Sequence, residues 1–140
     1  DYSPDGRWVA YTSEESGNPE VYVQAYPGGG NKTRISTAYG SEPIWAPSGR
    51  ELFFRSYTEN SEQLYMSVAI RSHSPFRVDP PRIMFRASPG EYDATTPLRS
   101  WDVAPDGKRF LLLRVQAADR LVTTVNVVLN WSDELKRRVR

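Results

Sequence analysis

The chain has 140 residues, with 18 basic and 17 acidic side chains and no cysteine. This near-neutral balance gives no electrostatic reason to expect nucleic acid or an anionic membrane as a partner, and the lack of thiols excludes disulfides and thiolate metal sites. No apolar stretch is long enough for a transmembrane helix, so we expect none. Aromatic residues make up 12% of the chain, a content that favours pleated, half-buried strands.

A short phrase occurs three times along the chain and organises its predicted elements. The copies are residues 3–7, 46–50 and 104–108, each with Pro-Asp-Gly or Pro-Ser-Gly at its centre and an apolar run after it. A corner containing Gly that leads into a β-type run predicts a hairpin, because glycine accepts the positive φ at which a strand reverses. The predicted turn-defining residues are Gly6, Gly49 and Gly107.

Up to four short strands are predicted in each repeat. They are 2–3, 8–12, 20–26 and 33–35 in the first repeat, 43–46, 51–56, 63–68 and 82–85 in the second, and 101–104, 109–115 and 123–131 in the third. The first two corners are about 43 residues apart, and four antiparallel strands at such a period are typical of β-propeller blades. From the apolar pattern we expect packed positions at Val9, Val21, Phe53, Leu64, Leu111 and Val127.

Two segments depart from this repeat. Residues 72–97 form an insert with five prolines, which we expect to be largely irregular or to run along a sheet edge. Residues 132–140 are predicted to form a short C-terminal helix, because Ser132 can cap it, acidic residues fall in its first turn and basic residues in its last. The chain begins inside the first repeat, so it reads as the tail of a longer protein or as a short version of one.

The repeats resemble the TolB-like, WD-like propeller repeat. The first carries Tyr-Ser-Pro-Asp-Gly-Arg at residues 2–7 and Val-Tyr-Val at 21–23, and the second carries Trp-Ala-Pro-Ser-Gly-Arg at 45–50. The third keeps the corner at 104–108 but lacks the tyrosine of the third strand. The C-terminal residues are similar to the ends of propellers appended to bacterial serine/threonine kinases and regulators.

This resemblance implies an all-β chain of three four-stranded antiparallel blades, half of a six-bladed propeller. The expected units are blade 1 at 1–37, blade 2 at 38–87 with the insert 72–97, blade 3 at 98–131, and the helix at 132–140. Because repeats that stack only on their neighbours leave both ends of an array open, we expect two chains to close one ring as a homodimer, the alternative being a truncated arc that aggregates or rearranges. Neither end of the array looks polar in the sequence.

Three residues are candidates for contact with a ligand in the propeller channel: Asp102, Trp45 and Tyr2. Asp102 aligns with Ile44 of the second repeat, so it either makes a structural hydrogen bond or faces the channel. Asp5 and Asp106 are explained by turn chemistry, and the single histidine, His73, is expected to be exposed and without a role. We expect no cofactor and no metal.

Two functions of different classes remain open at this stage. The favoured one is a non-catalytic scaffold that binds a protein or peptide, because no catalytic set is assembled in the sequence and propellers support many functions. The alternative is a hydrolase whose active site is gathered at the channel from several blades. The resemblance indicates a bacterial protein, and its compartment stays open between cytoplasm and periplasm.

Overall fold

The computed structural model describes residues 1–30, 32–92 and 99–115. These ranges form ten β-strands and contain no helix, so this part of the chain is all-β, and no helix capable of spanning a membrane occurs in it. The strands are β1 (Trp8–Ser13), β2 (Glu20–Ala25), β3 (Thr33–Arg34), β4 (Ser41–Trp45), β5 (Glu51–Tyr57), β6 (Gln63–His73), β7 (Phe76–Val78), β8 (Arg82–Ala87), β9 (Trp101–Val103) and β10 (Phe110–Leu112).

The strands form three antiparallel sheets, numbered here in chain order. The first sheet has the order β1-β2-β3, and the third sheet pairs β9 with β10. In the second sheet β4, β5 and β6 are neighbours in sequence and in space, and β7 and β8 both pair with β6. This order follows from the short connections, because consecutive strands joined by tight turns pair with each other.

The three corners have the same geometry. Gly6, Gly49 and Gly107 have φ angles of 70°, 67° and 68°. The amide of each glycine donates to the carbonyl oxygen three residues before it, at 2.8 Å in every copy. The second corner joins β4 to β5 and the third joins β9 to β10, whereas the first is closed by a bridge between Tyr2 and Val9. The predicted role of the three glycines is therefore confirmed.

The sheets stack face to face around two apolar clusters. Between the first and second sheets lie Ala10, Val21, Val23, Ile35, Trp45, Leu52, Phe54 and Val68. Between the second and third sheets lie Ile44, Ala46, Phe53, Tyr65, Ala87 and Trp101. Because successive residues of a strand point to opposite faces, β5 supplies Leu52 and Phe54 to the first cluster and Phe53 to the second. It is the central strand of the described core.

The predicted packed positions have different outcomes. Val21 and Phe53 are buried, as expected. Val9 and Leu64 are only half-buried, because the neighbours Ala10 and Tyr65 take the buried positions of β1 and β6.

The prediction for Leu111 is wrong, since its side chain is 68% exposed. Phe110 and Leu112 pack on the second sheet, so the residue between them in β10 points to the opposite face.

The insert is more regular than the sequence predicts. β6 continues to His73, and β7 pairs with its end as a hairpin. No apolar alternation in the sequence predicts this hairpin. Phe76 of this hairpin lies 4.5 Å, between ring centroids, from Trp8 of the first sheet. The predicted strand at 82–85 is confirmed as β8, with two further residues.

Several predictions fall outside the described residues. They are the strand at 123–131 with Val127, the helix at 132–140 that begins at Ser132, and part of the insert at 93–98. The blade boundaries also stay predictions.

Candidate functional site

A cleft of about 580 Å³ opens at one end of the stacked sheets. It lies at the opposite end from the glycine corners, because β4 begins beside the cleft at Ser41 and ends at the second corner. Its charged lining residues are Asp1, Glu14, Glu42, Arg55 and Arg99. Tyr39 and Tyr57 add aromatic surface. We call this feature the strand-end cleft.

Arg55 and Glu42 form a buried ion pair in the strand-end cleft. The Arg55 side chain is 3% exposed, and its Nη2 donates to Glu42 Oε1. Arg55 Nη1 donates to Ser100 Oγ at 3.1 Å, and the Ser100 amide donates to Glu42 Oε2 at 3.3 Å. Since Ser100 directly precedes β9, this network connects the second sheet to the third. A buried guanidinium requires such partners, because desolvation of an unpaired charge is very unfavourable.

Glu42 is held in an unusual backbone conformation. Its φ is 52°, in the left-handed region that costs a residue with a side chain about 1–2 kcal/mol. The pairing of β4 with β5 shifts register between Ser41 and Ile44, so Glu42 lies in a bulge. Bulges redirect side chains, and here the bulge aims the carboxylate at Arg55. Strain of this kind is concentrated at functional sites in many proteins.

Aromatic rings surround the ion pair. The Arg55 guanidinium carbon lies 5.6 Å from the ring centre of Tyr57, and the Tyr39 ring meets Tyr57 edge to face with centroids 5.1 Å apart. Burial raises the pKa of both Tyr57 and Tyr65, so these hydroxyls stay protonated at neutral pH. Burial also raises the pKa of Glu42, although Arg55 beside it acts in the opposite direction.

The rim of the cleft carries a second guanidinium. Arg99 Nη1 lies 3.9 Å from Asp1 Oδ1, and Arg99 Nη2 lies 3.4 Å from Asp102 Oδ1. Both separations are long for strong ion pairs, and the Arg99 side chain is 38% exposed. Asp1 Oδ2 is positioned by the Trp45 amide, which donates to it at 2.9 Å.

Asp102, one of the sequence candidates, lies on the rim and not in the core. Its side chain is 57% exposed, in contrast to Ile44, the residue with which it aligns. Asp102 Oδ1 accepts a hydrogen bond from the Val103 amide at 2.9 Å and faces Arg99. A contact with a ligand stays a prediction for this residue.

The structure brings neither Trp45 nor Tyr2 to the cleft lining. Trp45 is 4% exposed and belongs to the apolar cluster between the first two sheets, so it does not line the strand-end cleft, and a ligand contact stays a prediction for it. Its position in β4 puts its side chain on a face that the first sheet covers. Tyr2 is 54% exposed and packs edge to face on Tyr26, with ring centroids 5.0 Å apart.

The remaining candidates have structural surroundings. Asp5 and Asp106 each accept a hydrogen bond from the amide two residues later, at 3.1 and 2.9 Å, which is the turn role expected of them. His73 is half-buried, not exposed, because the β6–β7 hairpin places it against Trp8 and Phe76.

Sequence reasoning missed Glu42, Arg55 and the tyrosines around them. One signal was present: Arg55 follows Leu-Phe-Phe in the predicted strand 51–56, and a charge that is buried with such an apolar run requires a buried partner. The partner itself could not be found, because Glu42 faces Arg55 only through an unpredicted bulge. Among the described residues no group of three or more His, Asp or Glu side chains could hold a metal ion.

No family model matches the chain. Over 58 residues, 41% of its length, the chain is 36% identical to an uncharacterized protein of Agrobacterium fabrum. The aligned part is 20% of that protein, so the chain spans about a fifth of this curated relative.

Proposed function

We propose that this chain is part of a TolB-like, WD-like propeller and acts as a non-catalytic scaffold that binds a peptide or protein segment in the strand-end cleft. The observation that carries this proposal is the cleft itself, about 580 Å³ in volume and formed at one end of stacked, antiparallel sheets. A cleft of this size suits a few residues of a ligand, and loops at the ends of a rigid scaffold are common binding positions.

The repeated corners support the propeller assignment. A β-carbon placed on Gly49 would lie 3.7 Å from Pro4 Cδ, and one placed on Gly107 would lie 3.9 Å from Pro47 Cδ. Each corner therefore contacts the proline of the preceding corner in the same way, as expected when identical units stack with a constant rotation. Four of the five strands of the second sheet also follow the antiparallel order β4-β5-β6-β8, and β7 is the additional strand.

The alternative, a hydrolase, requires a histidine or several carboxylates within hydrogen-bonding distance of one another. In the described ranges His73 lies on the β6–β7 hairpin, outside the cleft lining. The Arg55–Glu42 ion pair of the cleft belongs to a network that joins the second sheet to the third through Ser100, an arrangement that favours binding over proton transfer.

The test is selection of displayed random peptides on the full chain, followed by affinity measurements on two matched variants. Thr12→Arg adds bulk at the exposed rim of the cleft, and Ser48→Arg adds the same bulk at an exposed corner on the opposite end. We expect Thr12→Arg to weaken the selected peptides at least tenfold and Ser48→Arg to leave them unchanged. Equal binding by both variants would place the peptide elsewhere and contradict the proposal.

We also propose that two copies close a six-bladed ring, with the third sheet of each packed on the first sheet of the other. Leu111 and Leu113 on the third sheet are 68% and 54% exposed in the single chain, which favours a partner on that face. Light scattering at micromolar concentration is expected to give the mass of two chains. A stable, folded monomer at that concentration would refute the dimer.

A further inference from the structure

The guanidinium of Arg55 has the properties of a prepared anion receptor. It lines the strand-end cleft, yet its side chain is only 3% exposed. Ser100 Oγ accepts from Nη1, and the ring of Tyr57 lies against the guanidinium, so its orientation is fixed both by the residue before β9 and by a neighbour within β5. A planar guanidinium held in this way matches a carboxylate well, because its N–H groups form a rigid fork.

The carboxylate that Arg55 now binds is held under unfavourable conditions. Glu42 reaches Arg55 from a left-handed backbone with φ 52° in a bulged strand, and burial raises its pKa. Its side chain is 15% exposed and borders an open cleft of about 580 Å³, so it has space into which it can turn. Relief of backbone strain would partly offset the cost of releasing it.

A second guanidinium is available beside the first. The guanidinium of Arg99 lies close enough to Glu42 to act on the pKa of that carboxyl, in the lowering direction. The contacts of Arg99 with Asp1 and Asp102 are long, at 3.9 and 3.4 Å. A carboxylate bound at Arg55 would therefore lie between two cations, one buried and one on the rim.

From these observations we infer that Arg55 recognises a carboxylate of the bound peptide, and that Glu42 occupies this position as an internal substitute until the ligand displaces it. The inference rests on the proposed peptide-binding function and adds the chemical group that the cleft selects. The carboxylate belongs either to the C-terminus or to an acidic side chain of the peptide. Tyr39 and Tyr57 would contact the adjoining residues.

Charge balance supports exchange over simple addition. The cleft already contains three carboxylates, those of Asp1, Glu14 and Glu42, and two guanidinia. A further anion would be repelled if Glu42 stayed in place, whereas replacing one carboxylate by another leaves the charge beside Arg55 unchanged. The excess of one carboxylate over the guanidinia would also suit a cationic ligand that binds without displacing Glu42. The test below separates these two cases.

The test uses ¹⁵N-labelled full chain and small probes. N-acetylglycine represents a peptide C-terminus, N-acetylglutamate α-amide represents an acidic side chain, and N-acetylglycinamide is the uncharged control. We expect one or both carboxylates to shift the backbone amides of Ser41, Arg55 and Ser100 in a saturable way, and the uncharged control to leave them unchanged. Whichever acid binds more tightly identifies the source of the carboxylate.

Variants of Glu42 give the sharpest outcome. If Glu42 covers Arg55 for nine-tenths of the time, its removal should strengthen carboxylate binding about tenfold. Glu42→Ala is the first variant, and Glu42→Gln keeps the side-chain size in case the smaller residue impairs folding. Glu62→Ala, which removes an ion pair with Arg86, is the matched control and should change nothing. Arg99→Gln should weaken binding several-fold.

The natural chain gives an independent readout. Protonation of Glu42 weakens its hold on Arg55, so the affinity for N-acetylglycine should rise as the pH falls from 7 towards 5. The other titratable groups that line the cleft or face Glu42 are the carboxylate and α-amino group of Asp1, Glu14, Arg55, Arg99 and the hydroxyls of Tyr39, Tyr57 and Tyr65. Burial raises the pKa of Tyr57 and of Tyr65, so these two hydroxyls stay protonated over this range. Glu42→Gln should abolish the pH dependence.

Three results would overturn the inference. They are equal binding of N-acetylglycinamide, weaker carboxylate binding in both Glu42 variants, and binding of N-acetyl-lysine amide that Glu42→Gln abolishes. In each case, selected peptides that lose affinity for the Thr12→Arg variant but not for the Ser48→Arg variant would still support the cleft as a peptide site. Peptides whose affinity Thr12→Arg does not change would refute the proposed function itself.

Discussion

Truncation of Phe53 tests how the sheets are packed. Its side chain is 2% exposed and lies between the second and third sheets, with its ring centroid 5.1 Å from that of Phe110. A buried aromatic side chain removes at least about 150 Å² from water, which at about 25 cal/mol per Å² corresponds to about 4 kcal/mol. Allowing for the area that alanine keeps and for the cavity left behind, Phe53→Ala should lower the free energy of unfolding by about 3–5 kcal/mol.

Leu111→Ala is the matched control, because the apolar pattern of the sequence predicts both positions to be packed. At a protein concentration low enough to dissociate the proposed dimer, its exposed side chain should contribute less than about 0.5 kcal/mol. Urea unfolding followed by tryptophan fluorescence, at low protein concentration, measures both variants. A loss below about 1 kcal/mol for Phe53→Ala would refute the arrangement of β5 between two clusters. A large loss for Leu111→Ala would show that the outer face of the third sheet is covered.

Two further predictions concern the corners and the dependence on pH. Gly107→Ala should lower the free energy of unfolding by about 1–2 kcal/mol, because φ is 68° and an added β-carbon would meet no close neighbour. Gly107→Asn should lower it by less, because asparagine tolerates a positive φ better than alanine does. Equal losses for the two variants in urea unfolding would point to a steric clash of the added side chain instead. The Tyr22 hydroxyl, with help from Ser16 and Arg34, lowers the pKa of Glu20 from its ordinary 4.5, so the folded state holds this proton less tightly than the unfolded state does. The stabilisation by the ionised Glu20 is therefore present above pH 4.5 and is lost as the pH falls further. Between pH 5 and 3, the melting temperature of Glu20→Gln should fall less steeply than that of the natural chain. Parallel curves for the two proteins would contradict this role.

The strands could be predicted from the sequence to a large extent because local signals coincide with them. Each Pro-x-Gly corner fixes a turn, and the β-type run after it fixes a strand, so nine of the ten strands in the described residues coincide with predicted ones, although β6 runs well past its predicted end. The β6–β7 hairpin was missed for a physical reason. Its turn contains Pro75, which argues against strand structure locally, and its stability comes from contacts with Trp8 and Trp45, which are distant in sequence.

The site was less predictable than the fold. The two members of the buried ion pair are separated by a corner, and their contact depends on the left-handed φ of Glu42, a residue type that gives no local signal for that conformation. Asp102 and Trp45 lie in the first predicted strands of the third repeat and of the second repeat, at 101–104 and 43–46. Selection by residue type alone cannot tell which face of a strand is covered, and one face of β4 is covered by the first sheet.

The two ends of the array differ in a way that the sequence did not indicate. On the outer face of the first sheet, Glu20 accepts hydrogen bonds from the hydroxyls of Tyr22 and Ser16 at 2.8 and 2.9 Å. That face therefore carries a satisfied polar network, contrary to the expectation that neither end is polar. The outer face of the third sheet instead exposes Leu111 and Leu113. A closed dimer would place these leucines on an aromatic and polar surface, so burial of their apolar area would have to supply most of the association energy.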